Sequence, residues 1–298
     1  MKQILIIGGK STVADDVAEI KAFAAGVRQA AGSRTIVDHT HLDALYVVCA
    51  PDGLQVIDVH SQKQLSDYQL IVLRSKMRTY APLGYCLSLF CKAQNIDFFN
   101  DYSHYFSGGK IEQALLFQQL QVPFLRTIFA LDHQTLLQAV KRQLQLPFIL
   151  KDNHGAHGNT NYLVHSFVEA ADILARHPQV AFIAQAFCPN DRDYRVLILG
   201  NKQLIFERVG SADSHLNNTS QGARAQLVPH AIPKQFIQDA RRIMQAMQLS
   251  IAGVDIIPDS RTGQLYFLEI NAQPQIFTGA LLDEKAALFQ QFLKQRLD

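Results

Sequence analysis

Two short apolar runs, residues 253–257 and 265–270, flank the cluster Asp259-Ser260-Arg261-Thr262-Gly263, and this stretch constrains the chain more than any other. Apolar runs on either side of a polar, Gly-bearing turn predict a β-hairpin. Residues two apart in a strand share a face, so Glu269 and Asn271 project together. Reflection about the turn puts Asp255 opposite Leu268 or Glu269. Two carboxylates and an amide carbonyl, with no thiol nearby, suit a hard cation such as Mg²⁺ that keeps waters and shares substrate phosphates. The solvent face of an amphipathic strand would also set Glu269 beside Asn271. Against that, Tyr266, Phe267, Leu268 and Ile270 make the strand nearly continuous in apolar character, as in a sheet covered on both faces. A carboxylate in such a setting calls for a partner or a metal.

With 298 residues, 48% hydrophobic and 18% charged, the chain can build two or three lobes. A net charge of +2, with no basic block longer than Arg241-Arg242, argues against a nucleic-acid partner. No apolar run is long enough for a membrane span, and residues 1–9 read as a strand without a cleavage-site pattern, so the expectation is a cytoplasmic protein. Cys49, Cys86, Cys91 and Cys188 lie in apolar contexts without Cys-x-x-Cys spacing and read as reduced, buried small hydrophobes. His39-x-His41 and His154-x-x-His157 lack the spacing and acidic neighbours of a zinc pair.

Residues 1–105 alternate strand and helix. Strands are expected at 3–9, 69–74 and 96–99, helices at 14–30 and 82–93, and a hairpin at 46–59. Gly8-Gly9 lacks the rest of a dinucleotide fingerprint and reads as a tight turn. Arg74 ends an apolar strand, where ligands bind α/β sheets, and its planar fork suits a substrate carboxylate; Arg78 follows in the same basic loop. Residues 106–188 give a helix at 110–120, strands at 147–152 and 161–164 joined by a polar, Gly-bearing loop, a helix at 168–176 and a strand at 180–187. Residues 189–298 give strands at 196–199 and 203–208, a polar loop at 211–222, a helix at 233–248, the hairpin, and a helix at 283–296.

In this order the pieces resemble the ATP-grasp ligases, within them the branch of the ribosomal-protein glutamate ligase (RimK-like). The resemblance rests on Lys110 opening a helix that ends at Val122-Pro123, then Pro147-Phe148-Ile149-Leu150-Lys151 with its Gly loop, and Phe182-Ile183-Ala184-Gln185-Ala186-Phe187. It continues through Asp193-Tyr194-Arg195, a loop from Asn218 to Gly222, and Asp255 with Glu269-Ile270-Asn271-Ala272-Gln273-Pro274. It implies an ATP-grasp architecture, α/β and α+β, with an N-terminal α/β domain at 1–105 and two α+β lobes, 106–188 and 189–298, that clamp ATP.

The activity implied is ATP-dependent carboxylate–amine ligation through an acyl phosphate, releasing ADP and phosphate, on small-molecule or peptide substrates. Position by position, Asp255, Glu269 and Asn271 would hold Mg²⁺ or Mn²⁺ on the phosphates, and Lys151 and Lys110 would reach the nucleotide. Gly155 and Gly158 would cover the phosphates. Gln185 with the backbone of Ala186, Phe187 and Cys188 would meet adenine, Asp193 the ribose, and Asn218 would complete the set. A homo-oligomer is compatible with the family.

This chain departs from the pattern at four places. Asn159-Thr160-Asn161 replaces a glycine and valine, Ala186 an acidic residue, and Leu216 an expected arginine whose charge Arg208, Arg195 or Arg224 would supply. Gln273-Pro274-Gln275 stands for a small residue, Pro and Gly. Arg208 and Arg74 are the candidate catalytic residues, and His157 and His215 are loop candidates for a general base. The competing reading is a regulatory or scaffold protein that binds nucleotide at a degenerate site.

Overall fold

The computed structural model describes residues 1–51, 53–74, 77, 79–104, 108–155, 160–209 and 224–297. Its first lobe runs β1 (Lys2–Ile7), α1 (Ala14–Ala31), β2 (Thr35–Thr40), β3 (Leu45–Ala50), β4 (Gly53–Asp58), β5 (Leu70–Leu73), α2 (Ala81–Ala93) and β6 (Asp97–Phe99). A parallel sheet in the order β2-β1-β5-β6 forms its centre. Ile4, Leu5, Ile6 and Ile7 are all buried because helices or loops cover both faces of this sheet. β3 and β4 form the expected hairpin as a separate two-stranded sheet. Gly8 lets the chain turn beside β5: a Cβ there would sit 2.2 Å from the Arg74 carbonyl oxygen.

The next lobe runs α3 (Lys110–Gln119), β7 (Thr127–Phe129), α4 (His133–Gln143), β8 (Phe148–Asp152), β9 (Asn161–Val164), α5 (Phe167–Arg176) and β10 (Phe182–Ala186). Its antiparallel sheet, β7-β10-β8-β9, packs against α4 and α5 through Leu136, Val140, Ile173, Phe148 and Phe182. α3 turns elsewhere. Its Phe117 packs against Phe267, in the core of the third lobe.

That lobe comprises β11 (Arg192–Leu199), β12 (Lys202–Val209), β13 (Arg224–Leu227), α6 (Lys234–Ala246), β14 (Ile251–Pro258), β15 (Leu265–Asn271) and α7 (Leu282–Leu297). Its antiparallel sheet has the order β13-β12-β11-β14-β15. One face buries Val196, Ile198, Val254 and Ile270 under α6 and α3. The opposite face buries Leu197, Leu199 and Phe206 with α7, in a core continuous with α1 and β1 of the first lobe.

Several expectations are corrected. Cys91 and Cys188 are buried, whereas Cys49 and Cys86 are exposed, because β3 lies outside the main sheets and Cys86 faces outward on α2. β11 starts at Arg192 rather than near 196, since pairing with β12 runs on to Arg192 opposite Val209 and carries Asp193 and Arg195 into the sheet. β2, β7 and α4 are additional elements. Nothing in the described chain is a helix long and apolar enough to cross a membrane.

Candidate active site

The hairpin register brings Asp255 directly opposite Glu269, with a bulge immediately after it, and Gly253 opposite Asn271. Alternation then sets Asp193 and Arg195 of β11, Arg208 of β12, Asp255 of β14 and Glu269 and Asn271 of β15 on one sheet face. Arg195 grips Asp255 bidentately, Nε to Oδ1 and Nη2 to Oδ2, both at 2.6 Å. Arg208 bridges the aspartates: its Nε donates to Asp193 Oδ1 at 2.6 Å and its Nη2 lies 3.1 Å from Asp255 Oδ1.

Burial pushes the Asp255 carboxyl up, but Arg195 and Arg208 outweigh it and hold the group below its ordinary range, so it is ionised. Asp193 has Arg208 and yet is raised, burial acting with the neighbouring Asp255 charge. Arg208 is held charged by the two aspartates against its own burial. A carboxylate offers about four lone-pair sites, and the arginines use three at Asp255, so one remains for a cation. Glu269 and Asn271 are partly exposed on the same face. The donors are all oxygens and fit Mg²⁺.

Two lysines reach this face from the other lobe. Lys151 on β8 is buried and donates to Gln185 Oε1 at 2.8 Å, and Gln185 in turn donates to Thr127 Oγ1 at 2.9 Å. Burial lowers its pKa to about 8, Lys110 acts in the same direction, and Glu269 and Asp255 oppose the shift. Lys110 opens α3 and donates through Nζ to the Gly155 carbonyl at 2.6 Å. Asn153 joins loop to helix: its Oδ1 accepts from Ile111 N and its carbonyl from Lys110 N.

The remaining candidates are placed as follows. Gln185 holds the Lys151 amine, and the Ala186 N–H is given to the Arg126 carbonyl at 2.9 Å. Phe187 is half-buried, and Cys188 packs with Leu125 and Ile257, its thiol pushed up to about 11 by burial and so protonated. Arg74 is buried, donates through Nη2 to the Pro274 carbonyl at 3.0 Å and lies 4.6 Å over the Phe23 ring. Its contact is thus with the loop that follows β15. Gly158, Asn218, Arg78, His157, His215 and Leu216 lie outside the described residues.

Three contributors escaped the sequence reading. Gln113 of α3 takes both backbone groups of Ile270, between Glu269 and Asn271, accepting from its N–H at 2.7 Å and donating to its carbonyl at 3.3 Å. Asn100 donates to the Ala272 carbonyl at 2.7 Å and accepts from Ser250 N at 2.9 Å. Lys285 of α7 lines a small, solvent-open depression together with Arg195, Arg208, Pro274, Gln275 and Ala280. Only Lys285 had a readable signal: a lysine on the same helix face as Leu288, Phe289 and Phe292.

Comparison with known proteins follows this geometry. A RimK-like ATP-grasp domain model matches residues 109–286, more than half of the chain. No curated protein sequence matches. The chain is similar in structure to the ATP-grasp ligase PsnB, solved with a phosphomimetic variant of a minimal precursor, Mg and ADP, at a TM-score of 0.72 and 16% identity over 98% of both chains. It is similar to a RiPP-associated ATP-grasp ligase of Chryseobacterium gregarium, solved with ADP and a leader and core peptide (TM-score 0.70, 14% identity, 100% of this chain and 97% of that one). It is also similar to D-alanyl-alanine synthetase A from Vibrio cholerae (TM-score 0.66, 16% identity, 99% and 97%). With a family model matched over more than half of its length, the chain belongs to the RimK-like ATP-grasp family and is an ADP-forming ligase.

Proposed function

We propose that this chain uses ATP to activate a substrate carboxylate and joins it to an amine, with a peptide or amino acid as substrate. The observation that carries the reading is convergence: Lys110, Lys151 and the Asp255–Glu269 pair come from separate segments, and their charges act on the same buried Lys151 amine. The precursor held by PsnB with Mg and ADP, and the leader and core peptide held by the Chryseobacterium ligase with ADP, favour a peptide, and the Vibrio synthetase a dipeptide product.

Asp255, Glu269 and Asn271 would hold Mg²⁺, which when bound neutralises phosphate charge. Lys151 and Lys110 would add two cations on the phosphate side, Lys151 pre-positioned by Gln185. Arg208, kept charged by its two aspartates, would face the reacting carboxylate at the edge of the depression. The carboxylate oxygen bonds to the γ-phosphorus while the bond to the bridging oxygen breaks, and ADP leaves with the electron pair. The amine nitrogen then attacks the acyl carbon, phosphate departs, and the nitrogen loses its proton.

ADP release from Mg-ATP, measured with pooled amino acids and short peptides beside Glu269→Ala, tests this. The expectation is pool-dependent ADP that falls about a hundredfold or more in the variant. ADP formation intact in Glu269→Ala would sink the site assignment, and nucleotide binding without ADP from any pool would favour the regulatory reading.

A further inference from the structure

β15 leaves its sheet immediately after Asn271, the last candidate ligand on the hairpin. Asn271 pairs with Gly253, and the first residues of β14, Ile251 and Ala252, extend past that pair with no partner from β15. Asn100 of the first lobe fills the gap. Its Nδ2 donates to the Ala272 carbonyl at 2.7 Å and to the Ile251 carbonyl at 3.3 Å. Its Oδ1 accepts from Ser250 N at 2.9 Å and from Ile251 N at 3.1 Å. An amide offers two N–H donors and two carbonyl lone pairs, so every place is taken. Asn100 follows β6, is buried, and holds a left-handed backbone, φ +61°. Asparagine tolerates that backbone better than most residues, and no other side chain of its length both donates twice and accepts twice.

The next two residues are held from the same lobe. Gln273 Nε2 donates to the Tyr102 hydroxyl at 3.3 Å, and the Pro274 carbonyl accepts from Arg74 Nη2 at 3.0 Å. Gln273 stands where the family pattern has a small residue, so this bond needs the long side chain found here. Arg74 is buried, lies on the Phe23 ring and has its Nε 3.6 Å from Glu19 Oε1. Those contacts fix the guanidinium against α1 and aim one N–H at the exit of β15. Pro274 in turn folds back over Gly253: a Cβ there would lie 3.1 Å from Pro274 Cβ and 3.6 Å from Arg195 Cδ. The exit of β15 is thus packed between the first lobe and the arginine that grips Asp255.

We propose that Asn100 and Arg74 are positioning residues for the metal site: from the first lobe they hold Ala272 and Pro274, so that Asn271 and Glu269 keep the spacing a cation needs. This rests on the reading above that Asp255, Glu269 and Asn271 hold Mg²⁺. A strand end without ladder partners frays, and Asn271 is the residue at that end. Arg74 then acts through the backbone instead of on a substrate carboxylate.

Mn²⁺ alone is the probe, titrated into the full chain well below its melting temperature, with the free ion counted by paramagnetic resonance. Hydrogen exchange over residues 265–273 without metal is the second readout. Asn100→Gly keeps the left-handed backbone and drops all four bonds; it should bind Mn²⁺ about tenfold more weakly or worse. Arg74→Met should weaken Mn²⁺ about threefold or more, and Arg74→Lys, which can still donate to Pro274, should stay within about twofold of wild type. The sign is diagnostic, because removing a nearby positive charge would by Coulomb attraction alone tighten Mn²⁺. In Asn100→Gly and Arg74→Met exchange should quicken over residues 265–273 and stay unchanged in β10 of the second lobe.

A lower melting temperature with Mn²⁺ affinity unchanged in both variants would leave the two residues a structural role and overturn the proposal. Tighter Mn²⁺ in Arg74→Met, or unchanged exchange over residues 265–273, would overturn it as well. Glu269→Ala separates this outcome from the reading beneath it. If wild type and Glu269→Ala take up Mn²⁺ alike, the hairpin is not the metal site and both readings fall. If Glu269→Ala loses Mn²⁺ while Asn100→Gly and Arg74→Met keep it, the positioning role alone falls.

Discussion

Lys151 and Lys285 are ammonium groups in places that favour their neutral forms, both lowered from 10.5 to about 8. From about pH 8 the unfolded chain keeps protons on these lysines that the folded one has lost, so stability should rise as pH climbs towards 9, above which the thiols of Cys91 and Cys188, pushed up by burial, act in the opposite sense. Urea melts across that range should show the rise, and Lys151→Met or Lys285→Met should each flatten it. On the proposed assignment of Lys151 to the nucleotide, phosphate beside it would draw its pKa back up, so binding above pH 8 should take up a proton. Calorimetry in buffers of different ionisation enthalpy would measure that uptake. At Asp255 the partner matters as much as the acid. Arg195→Met strips a bidentate cation from a buried carboxylate and should cost about 3–5 kcal/mol in urea unfolding. The pairing of Asp255 with Glu269 was legible because strand alternation and one turn fix it within a residue. The charge for Leu216 was not: Arg208, Arg195 and Arg224 are equivalent in sequence, and only strand register sets Arg195 and Arg208 against the aspartates.

β15 is an edge strand, and other elements supply its missing partners. The Phe267 N–H donates to the Pro123 carbonyl at 2.9 Å, and Gln113 takes both backbone groups of Ile270. Gln113→Leu would leave a buried N–H and C=O unpaired, at about 1–3 kcal/mol each. It should lower stability by about 2 kcal/mol or more and raise the Mg²⁺ concentration needed for half-maximal ADP release, since Glu269 and Asn271 flank the freed residue. A loss of stability with an unchanged Mg²⁺ requirement would leave Gln113 a structural role only. Such clamps join residues 157 positions apart and leave no local pattern to read. α4 differs, because its signal was present. The Asp132 side chain accepts from Thr135 N at 2.7 Å as an N-cap, and Leu136 and Val140 are buried one turn apart on its face. The hairpin, α1, α3 and α7 were legible because apolar period and turn residues agree along each of them.

Apolar packing divides the molecule differently from the order of its chain. The second lobe has its own core around Phe148 and Phe182, while the first and third share one through Phe23, Phe99, Phe277, Phe289 and Phe292. Phe277, in the loop after β15, lies on Gly26 of α1, where a Cβ would come within 2.3 Å of its ring. Phe289→Ala should therefore cost about 3–5 kcal/mol and lower hydrogen-exchange protection in β1 and β11 together, with the strands around Phe182 spared. Protection lost in β11 alone would show the shared core to be energetically divided. The contact of α1 with α7 also spans the interval from Ala31 to Leu282. At a synthesis rate of roughly 5–20 residues per second, the apolar face of α1 waits roughly 13–50 s on the ribosome for the helix that covers it. During that wait the apolar face of α1 lacks its α7 cover, and faster translation would shorten its exposure.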